Sequence, residues 1–512
     1  MKKERNEKEI GGVLQTIERV GNALPHPAII FVILSVVLVV IAEIISRAGI
    51  TVDYYDARAS EQIQLGAVSL LNAEGLRYVF NSATKNFTGF APLGTVLVAM
   101  LGVGVAEYTG LFNTSLRKLL SGVPMGIVTP TIIFAGIMSN IASDAGYVVV
   151  IPLGALIFAS MGRHPVAGLA AAFAGVSGGF SANLLLGTLD PLLQGITNEA
   201  LNAAGIVDAA IDPTANWYFM IVSTFVIVAV GTLVTNKIVI PNLGPYHGDY
   251  VHEDAPITEL ENRGLKNAGR ALLIFIIIMS LAMFLPNAPL KAPNAEGDLV
   301  ITGFISNGLI FAMFLAFFIP GYAYGKTIGV IKDSNDLVAT MTKSMQSMGS
   351  YLVLAFFASQ FVAYFSHTNL GIILSVKGAE FLEAIGLTGI PLIGVFILLC
   401  AFINLFMGSA SAKWAIMAPI FVPMMYHMGI SPALTQVAYR IGDSTTNIIS
   451  PLMSYFAMIV VFMQRYDKEK GLGTLISTMV PYSMAFLVSW TLLLILWMFI
   501  GLPLGPGATL YI

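Results

Sequence analysis

The sequence predicts an all-α integral membrane protein, because of its composition and the length of its apolar stretches. Apolar residues make up 56% of the 512 positions and charged residues only 11%, with a mean hydropathy of +0.81. Soluble domains carry about 25% charged residues, so a water-soluble fold does not fit. The net charge of −3 gives no reason to expect a nucleic-acid partner. Cys400 is the single cysteine, which excludes a disulfide or a cysteine metal cluster within the chain.

Nine apolar stretches are long enough to be transmembrane helices, which need about 20 residues each. The first begins near Pro25, after a charged leader, and is too long for the core of a signal peptide. The predicted spans cover residues 26–48, 90–110, 163–195, 214–235, 269–287, 299–320, 348–368, 430–465 and 474–502.

Two further apolar stretches, 123–160 and 388–428, are interrupted by small polar residues, "MSNIASDAG" (138–146) and "MGSASAKW" (407–414). A continuous spanning helix has no need of such a break. Non-helical backbone at membrane depth is tolerated only inside protein or beside a watery cavity. We therefore interpret both stretches as re-entrant hairpins, the alternative being two ordinary helix pairs with tight turns.

The distribution of positive charge predicts the orientation of this arrangement. With nine spans, two hairpins and a cytoplasmic N-terminus, the inside segments hold 18 of the 26 Lys and Arg residues, and the outside segments and helix ends hold six. This bias follows the positive-inside rule and places the C-terminus outside. The remaining two basic residues, Lys413 and Arg440, lie within the membrane.

The two halves of the chain repeat short motifs in the same order. "EYTGLF" compares with "SHTNLG", where Thr109 and Thr368 are 259 positions apart. The centres of the two hairpins align when Pro152 is matched with Pro419, which lies 267 positions later. In the same order, "FSANLL" compares with "STTNII". One span lies between the repeats, so the second would be inverted. Inverted repeats with broken helices and a midplane site are typical of secondary transporters.

The resulting domain organisation has five parts. We predict a cytoplasmic N-terminal segment (1–25), a first repeat (26–235) with its hairpin at 123–160, a cytoplasmic loop with a connecting helix (236–298), a second repeat (299–502) with its hairpin at 388–428, and an external tail (503–512).

Several long motifs carry a family resemblance. They are "LQTIERVGNALPHP", "NFTGFAPLGTVLVAMLGVGVAEYTGL", "SNIASDAGYVVVIPL", "GRHPVAGLAAAFAGVSGGFSANLL" and "YRIGDSTTNIISPLMSYFAMIVVF". From about residue 14 to about 500 the chain resembles the aminobenzoyl-glutamate transporter (AbgT) family. The resemblance implies a homodimer in the bacterial inner membrane, with nine helices and two hairpins per subunit. It also implies transport of p-aminobenzoyl-glutamate and, for some members, export of sulfonamide antimetabolites driven by ion gradients.

Polar residues inside the apolar stretches predict the substrate site. A charge at the centre of a membrane helix costs about 2.5–3.5 kcal/mol, so Arg440 and Asp443 should face a partner or water. The simplest interpretation is that these two residues pair with each other, one helical turn apart. The resemblance instead places functional positions at Asp190, Ser411, Trp414, Arg440, Asp443 and Pro451. We expect Arg440 to meet a substrate carboxylate, Asp443 to hold the guanidinium when the site is empty, and Trp414 to stack on an aromatic ring.

Hydroxyl and amide side chains predict a second kind of site, for a coupling cation. Gly442 and Pro451 should weaken the helix between them and free backbone carbonyls near Asn447. Such carbonyls, hydroxyls and amides suit a small cation, Na⁺ or, through Asp190 or Asp443, H⁺. The candidate cation-binding residues are Asn140, Ser143, Ser181, Asn183, Ser409, Thr445 and Asn447.

Other functions find less support in the sequence. There is no Walker lysine motif for ATP-driven transport and no H-E-x-x-H pattern. The six histidines are scattered, so no transition-metal site is expected. An intramembrane protease needs paired carboxylates that are missing here, so we expect no enzyme. The nearer alternative is a dicarboxylate or other organic-anion symporter with similar hairpins.

Overall fold

The computed structural model describes residues 25, 27–56, 61–120, 123–142, 146–206, 208–246, 257–293, 299–301, 304, 308–450, 453, 455–468 and 470–512. Within these residues the chain is mainly helical, as predicted. Two predicted site residues, Ser143 and Pro451, lie outside them.

Seven of the nine predicted spans overlap helices that are long and apolar enough to cross a membrane. These helices, among the described residues, are Ala28–Ala48, Ala73–Tyr108, Trp217–Leu243, Glu259–Phe284, Leu309–Ile328, Gly349–His367 and Leu472–Ile500. Several expose apolar side chains along their length; on the connecting helix Glu259–Phe284 they include Ile274, Ile278 and Phe284. Such faces are stable against lipid but not against water, which supports a membrane location.

The other two predicted spans, 163–195 and 430–465, are each divided into two shorter helical pieces. The first broken helix consists of Pro165–Gly178 and Leu189–Ala203, and the second of Pro432–Asn447 and Phe456–Gln464. Both begin with proline at the first position, where no backbone N–H is needed. The breaks fall at the repeated asparagines, since Asn183 lies in the first gap and Asn447 is the last residue before the second.

Each interrupted stretch forms two helices, one on either side of its small polar residues. The first helix pair is Val128–Ser139 and Gly146–Ser160, and the second is Gly389–Asn404 and Ala410–His427. A helix of 12 residues, the length of Val128–Ser139, is about 18 Å long. That is well short of the roughly 30 Å hydrocarbon core, whereas the 18 residues of Ala410–His427 reach about 27 Å.

Several elements lie outside the predicted spans. Additional helices are Leu111–Leu120, Ser334–Ser347 and Leu370–Ala384, while Ala73–Thr88 and Ile240–Leu243 extend two of the spanning helices beyond the predicted spans. The expectation of an all-α chain is wrong at two antiparallel ribbons, which pair Thr51–Asp56 with Glu61–Gly66 and Ala292–Pro293 with Leu299–Val300. A search for long apolar stretches does not detect such segments, because the strands are only two to six residues long.

Matching contacts in the two halves support the predicted repeat. Thr109 and Thr368 each end a long helix, and each hydroxyl donates to the carbonyl four residues earlier at 2.8 Å. Gly175 and Gly442 are 267 positions apart, like the repeated prolines. A Cβ at Gly175 would lie 2.4 Å from the Ile133 carbonyl oxygen, and one at Gly442 would lie 2.5 Å from that of Ile397. Each broken helix thus presses a glycine against the first limb of its helix pair.

This close packing predicts the effect of Gly442→Ala. The added methyl would lie 2.5 Å from both the Cys400 Cβ and a backbone oxygen, and overpacking of this kind costs about 1–3 kcal/mol. We expect a lower melting temperature for the purified protein in detergent. Gly394→Ala is the matched control, since it lies on the opposing limb with nothing within 4 Å of the added Cβ. Equal melting temperatures for the two variants would contradict the packing described.

Candidate functional site

The helix Pro432–Asn447 is the centre of the site. All 16 of its residues are buried, although many are polar or charged. Buried polar groups are costly unless they find partners, and this helix finds them on both repeats. Its neighbours include Gly389–Asn404, Ala410–His427, Leu189–Ala203 and the π-turn Ala174–Gly178. The site therefore lies where the two broken helices and the second helix pair meet.

Arg440 forms a buried ion pair with Asp190 of the first repeat. Nη2 of Arg440 lies 2.7 Å from Oδ1 of Asp190, and the two side chains are only 4% and 3% exposed. Asp190 lies in the first turn of Leu189–Ala203 and accepts a second hydrogen bond from the Gly187 amide at 2.7 Å. The positive end of the helix dipole favours a carboxylate at this position. The break in the first helix thus creates the anionic partner of Arg440.

The expected pairing of Arg440 with Asp443 is wrong in this conformation. Helical side chains lean toward the N-terminus of their helix, so Arg440 extends toward Gln436, with Nη2 3.4 Å from its Oε1. Asp443 leans the same way and lies 3.4 Å from the Tyr439 hydroxyl. In this conformation the guanidinium is held by Asp190 of the first repeat and not by Asp443.

Asp443 pairs instead with Lys413 of the second helix pair. The Lys413 Nζ lies 2.5 Å from Oδ1 of Asp443, and both side chains are 1% exposed. Lys413 also donates to the side-chain oxygen of Asn404 and contacts the Met407 carbonyl at 3.4 Å. The amide nitrogen of Asn404 lies 2.6 Å from the backbone oxygen of Asp443 and 2.9 Å from Oδ1 of Asn447. The site therefore contains two ion pairs, and the two charges within each pair cancel.

A chain of hydrogen bonds links the Arg440–Asp190 pair to the tryptophan of the second helix pair. Gln436 donates to Oγ1 of Thr197 at 2.9 Å, and the indole N–H of Trp414 donates to the same oxygen at 3.0 Å. Trp414 stacks on Tyr439, with ring centroids 4.4 Å apart. The Tyr439 hydroxyl in turn lies 2.5 Å from the Ala410 carbonyl oxygen. Trp414 is fully buried here, whereas Ser411, three residues nearer the turn, is partly exposed.

Two of the candidate cation-binding residues of the first repeat donate to the same backbone carbonyl. The amides of Asn140 and Asn183 donate to the Ile137 oxygen at 3.1 and 3.3 Å. Ser181 is linked through its backbone to the helix of the other repeat, since its N–H donates to Oγ of Ser444 at 3.1 Å. Oδ1 of Asn140 and Oγ of Ser181 are buried and find no hydrogen-bond partner among the residues that the structure describes. Two free acceptors beside a helix end suit a small cation.

The candidates of the second repeat are already engaged. Ser409 caps Ala410–His427, accepting from the Ala412 amide at 3.4 Å. Thr445 donates to the Ile441 carbonyl of its own helix at 2.8 Å, and Asn447 contacts Asn404. The helix is continuous through Gly442 and ends at Asn447, the place where the sequence predicted freed carbonyls, but the carbonyls of Asp443, Thr446 and Asn447 accept hydrogen bonds there.

Sequence reasoning missed several members of this network. From the sequence, Lys413 was recognised only as a charge within the membrane. Its position between Ser411 and Trp414, two predicted site residues, could have identified it as a member of the site. Asn404, Gln436 and Thr197 are single polar residues in helices, with no spacing to single them out. Among the described residues, no group of three or more His, Cys, Asp or Glu side chains is placed to hold a metal ion.

Comparisons with known proteins agree with this architecture. The model of the AbgT putative transporter family matches residues 12–512. The chain is 39% identical, over 96% of its own length and 95% of the relative, to the p-aminobenzoyl-glutamate transport protein of Escherichia coli. The YdaH transporter of Alcanivorax borkumensis has a similar structure, with a TM-score of 0.87, 43% identity and coverage of 94% of this chain and 100% of that one.

A second solved structure is also similar. It is that of MtrF of Neisseria gonorrhoeae, described as illuminating a class of antimetabolite efflux pumps. The TM-score is 0.90, the identity is 47%, and the match covers 97% of this chain and 100% of that one.

Proposed function

The chain belongs to the AbgT transporter family, a family of multi-pass membrane transporters and not of enzymes, and from that premise we propose which molecules it moves. The substrate is p-aminobenzoyl-glutamate, a sulfonamide-type antimetabolite, or both, and transport is coupled to an ion gradient. The named relatives support this choice, since one is a p-aminobenzoyl-glutamate transport protein and another represents antimetabolite efflux pumps.

Arg440 is the observation that carries the proposal. Only its Nη2 is fully engaged, by Asp190 and Gln436, while Nε has no partner and Nη1 faces the Met220 sulfur at 3.6 Å. A thioether is a weak acceptor, so this buried guanidinium retains donors for a carboxylate. Hydrogen bonds from a charged guanidinium to a carboxylate are roughly twice as strong as those between neutral groups. The glutamate part of the conjugate supplies such a carboxylate.

The aromatic part of the substrate finds its complement on the second helix pair. Trp414 and Tyr439 already stack on each other, and offset stacking is the preferred arrangement of aromatic rings. We propose that a substrate ring joins this stack when the site opens, with Ser411 at the partly exposed turn facing the incoming molecule. Alternating access provides such an opening.

The membrane arrangement of this transporter is part of the proposal. Nine spans follow if each broken helix crosses the bilayer once, and the two helix pairs are then re-entrant hairpins. We place the chain in a bacterial inner membrane as a homodimer, with its N-terminus in the cytoplasm and its C-terminus outside. The bacterial relatives and the clustering of Lys and Arg in the predicted inside segments support this placement.

We propose Na⁺ or H⁺ as the coupling ion. The free acceptors on Asn140 and Ser181, beside Asn183 and the ends of two short helices, support Na⁺ binding in the first repeat. A proton could instead travel on Asp190 or Asp443, since buried carboxylates carry protons in many transporters.

Asn183→Ala tests the cation site. Its amide holds the Ile137 carbonyl and its oxygen accepts from the Leu185 amide at 3.2 Å, so its loss should disorganise the site. We expect transport to need a higher Na⁺ concentration than in the parent protein. Asn202→Ala, on the exposed side of Leu189–Ala203, is the matched control. Unchanged Na⁺ dependence in a well-folded Asn183→Ala variant would count against a sodium site here.

The function itself is tested by transport in proteoliposomes under imposed Na⁺ or proton gradients. The panel contains p-aminobenzoyl-glutamate, a sulfonamide and simple dicarboxylates. We expect gradient-dependent movement of the first two and little of the third, because dicarboxylates lack the ring. Movement of dicarboxylates alone would overturn the proposal in favour of the organic-anion symporter.

A further inference from the structure

Lys413 is a cation held among oxygen atoms at the turn of the second helix pair. Its Nζ contacts the carboxylate of Asp443, the side-chain oxygen of Asn404 and the Met407 carbonyl. The second oxygen of Asp443, Oδ2, is buried and has no hydrogen-bond partner. A carboxylate, an amide and a main-chain carbonyl form a donor set that a monovalent metal cation would also accept.

The first repeat has no side chain at the matching position. The spacing of Pro152 and Pro419 aligns Lys413 with Gly146, and Trp414 with Tyr147. Tyr147 stacks on Tyr455 just as Trp414 stacks on Tyr439, with centroids 4.5 Å apart. The aromatic residue is therefore repeated and the lysine is not. In the first repeat, which has no lysine at this position, the side-chain oxygens of Asn140 and Ser181 have no hydrogen-bond partner among the described residues.

We propose that the ammonium of Lys413 is a tethered cation that permanently fills the cation position of the second repeat. A free Na⁺ then has room only in the first repeat. The proposal explains why Asn447, the counterpart of Asn183, is bound through Asn404 into the Lys413 network. It also gives the buried carboxylate of Asp443, 1% exposed, a cationic partner without a free ion.

Removing the ammonium should convert this position into a site for a free cation. Lys413→Met keeps most of the aliphatic stem and leaves Asp443, Asn404 and the Met407 carbonyl around an uncharged gap. The probe is Na⁺ itself, supplied as chloride and compared with Li⁺ and choline chloride at the same ionic strength. The measurement is the melting temperature of the full-length protein purified in detergent.

We expect Na⁺ to raise the melting temperature of Lys413→Met by several degrees more than it raises that of the parent protein. The increment should vanish in Lys413→Met/Asp443→Asn, because the neutral amide no longer needs a cation. Asn447→Ala in the parent background should leave the sodium-induced shift unchanged. No increment in a folded Lys413→Met, an increment that survives Asp443→Asn, or a smaller shift in Asn447→Ala would each overturn the proposal.

The experiment still tests the proposal when Lys413→Met folds poorly. Recovery of folded protein only in Na⁺ or Li⁺ supports the proposal, since the ion replaces the missing charge. If no salt recovers it, the position accepts no free cation and the proposal fails, whether or not the double variant folds. The inference deepens the proposed ion coupling and rests on it. Because the readout is ion binding, its failure would leave the transport of p-aminobenzoyl-glutamate to be judged by the proteoliposome assay.

Discussion

Arg440→Lys should abolish most transport of p-aminobenzoyl-glutamate while the protein is still produced in the membrane. Lysine keeps the charge near Asp190, which Arg440 Nη2 now contacts at 2.7 Å. It removes the planar guanidinium, whose Nε and Nη1 remain as donors for the substrate carboxylate. A hydrogen bond to a charged group contributes about 1.5–3 kcal/mol, so we expect uptake to fall at least about tenfold.

The substrate panel and a matched variant make this prediction specific. Sulfonamides lack the glutamate carboxylates, so their transport should fall much less in Arg440→Lys. Arg47→Lys is the control, because Arg47 pairs with Glu43 on the surface and its side chain is 81% exposed. If Arg440→Lys transports the conjugate normally, the arginine serves only to neutralise Asp190.

Trp414→Ala should impair transport of both substrates, since both carry an aromatic ring. The change also removes a fully buried side chain that stacks on Tyr439 and donates to Thr197. Truncation of buried tryptophan costs about 3–5 kcal/mol of stability. Transport rates must therefore be normalised to the amount of folded, monodisperse protein in the liposomes.

Trp414→Phe separates stacking from hydrogen bonding. Phenylalanine keeps an aromatic face but loses the N–H that bonds Thr197, the residue that links Trp414 to Gln436 and so to Arg440. If the ring contacts substrate, Trp414→Phe should retain most transport of both molecules. A selective loss of the conjugate would show that Trp414 acts by positioning Arg440. Normal transport by a folded Trp414→Ala would exclude both roles.

The sequence identified the residues of this site better than it identified their partners. Asp190, Trp414, Arg440 and Asp443 do lie in one connected network. The predicted contact between Arg440 and Asp443 was wrong. It had been inferred because the two residues are only three positions apart on one helix. The observed partners, Asp190 and Lys413, lie 250 and 30 positions away from Arg440 and Asp443.

By itself, the sequence determined which segments leave water and where they break. Apolar stretches must be buried in lipid or protein, and motifs such as "FSANLL" and "STTNII" interrupt them at matching places in the two halves. Only the tertiary structure decided which buried charge meets which. A charge in an apolar surrounding requires a partner, but that requirement names no partner. The choice depended on the packing that brings Leu189–Ala203 and the second helix pair against Pro432–Asn447.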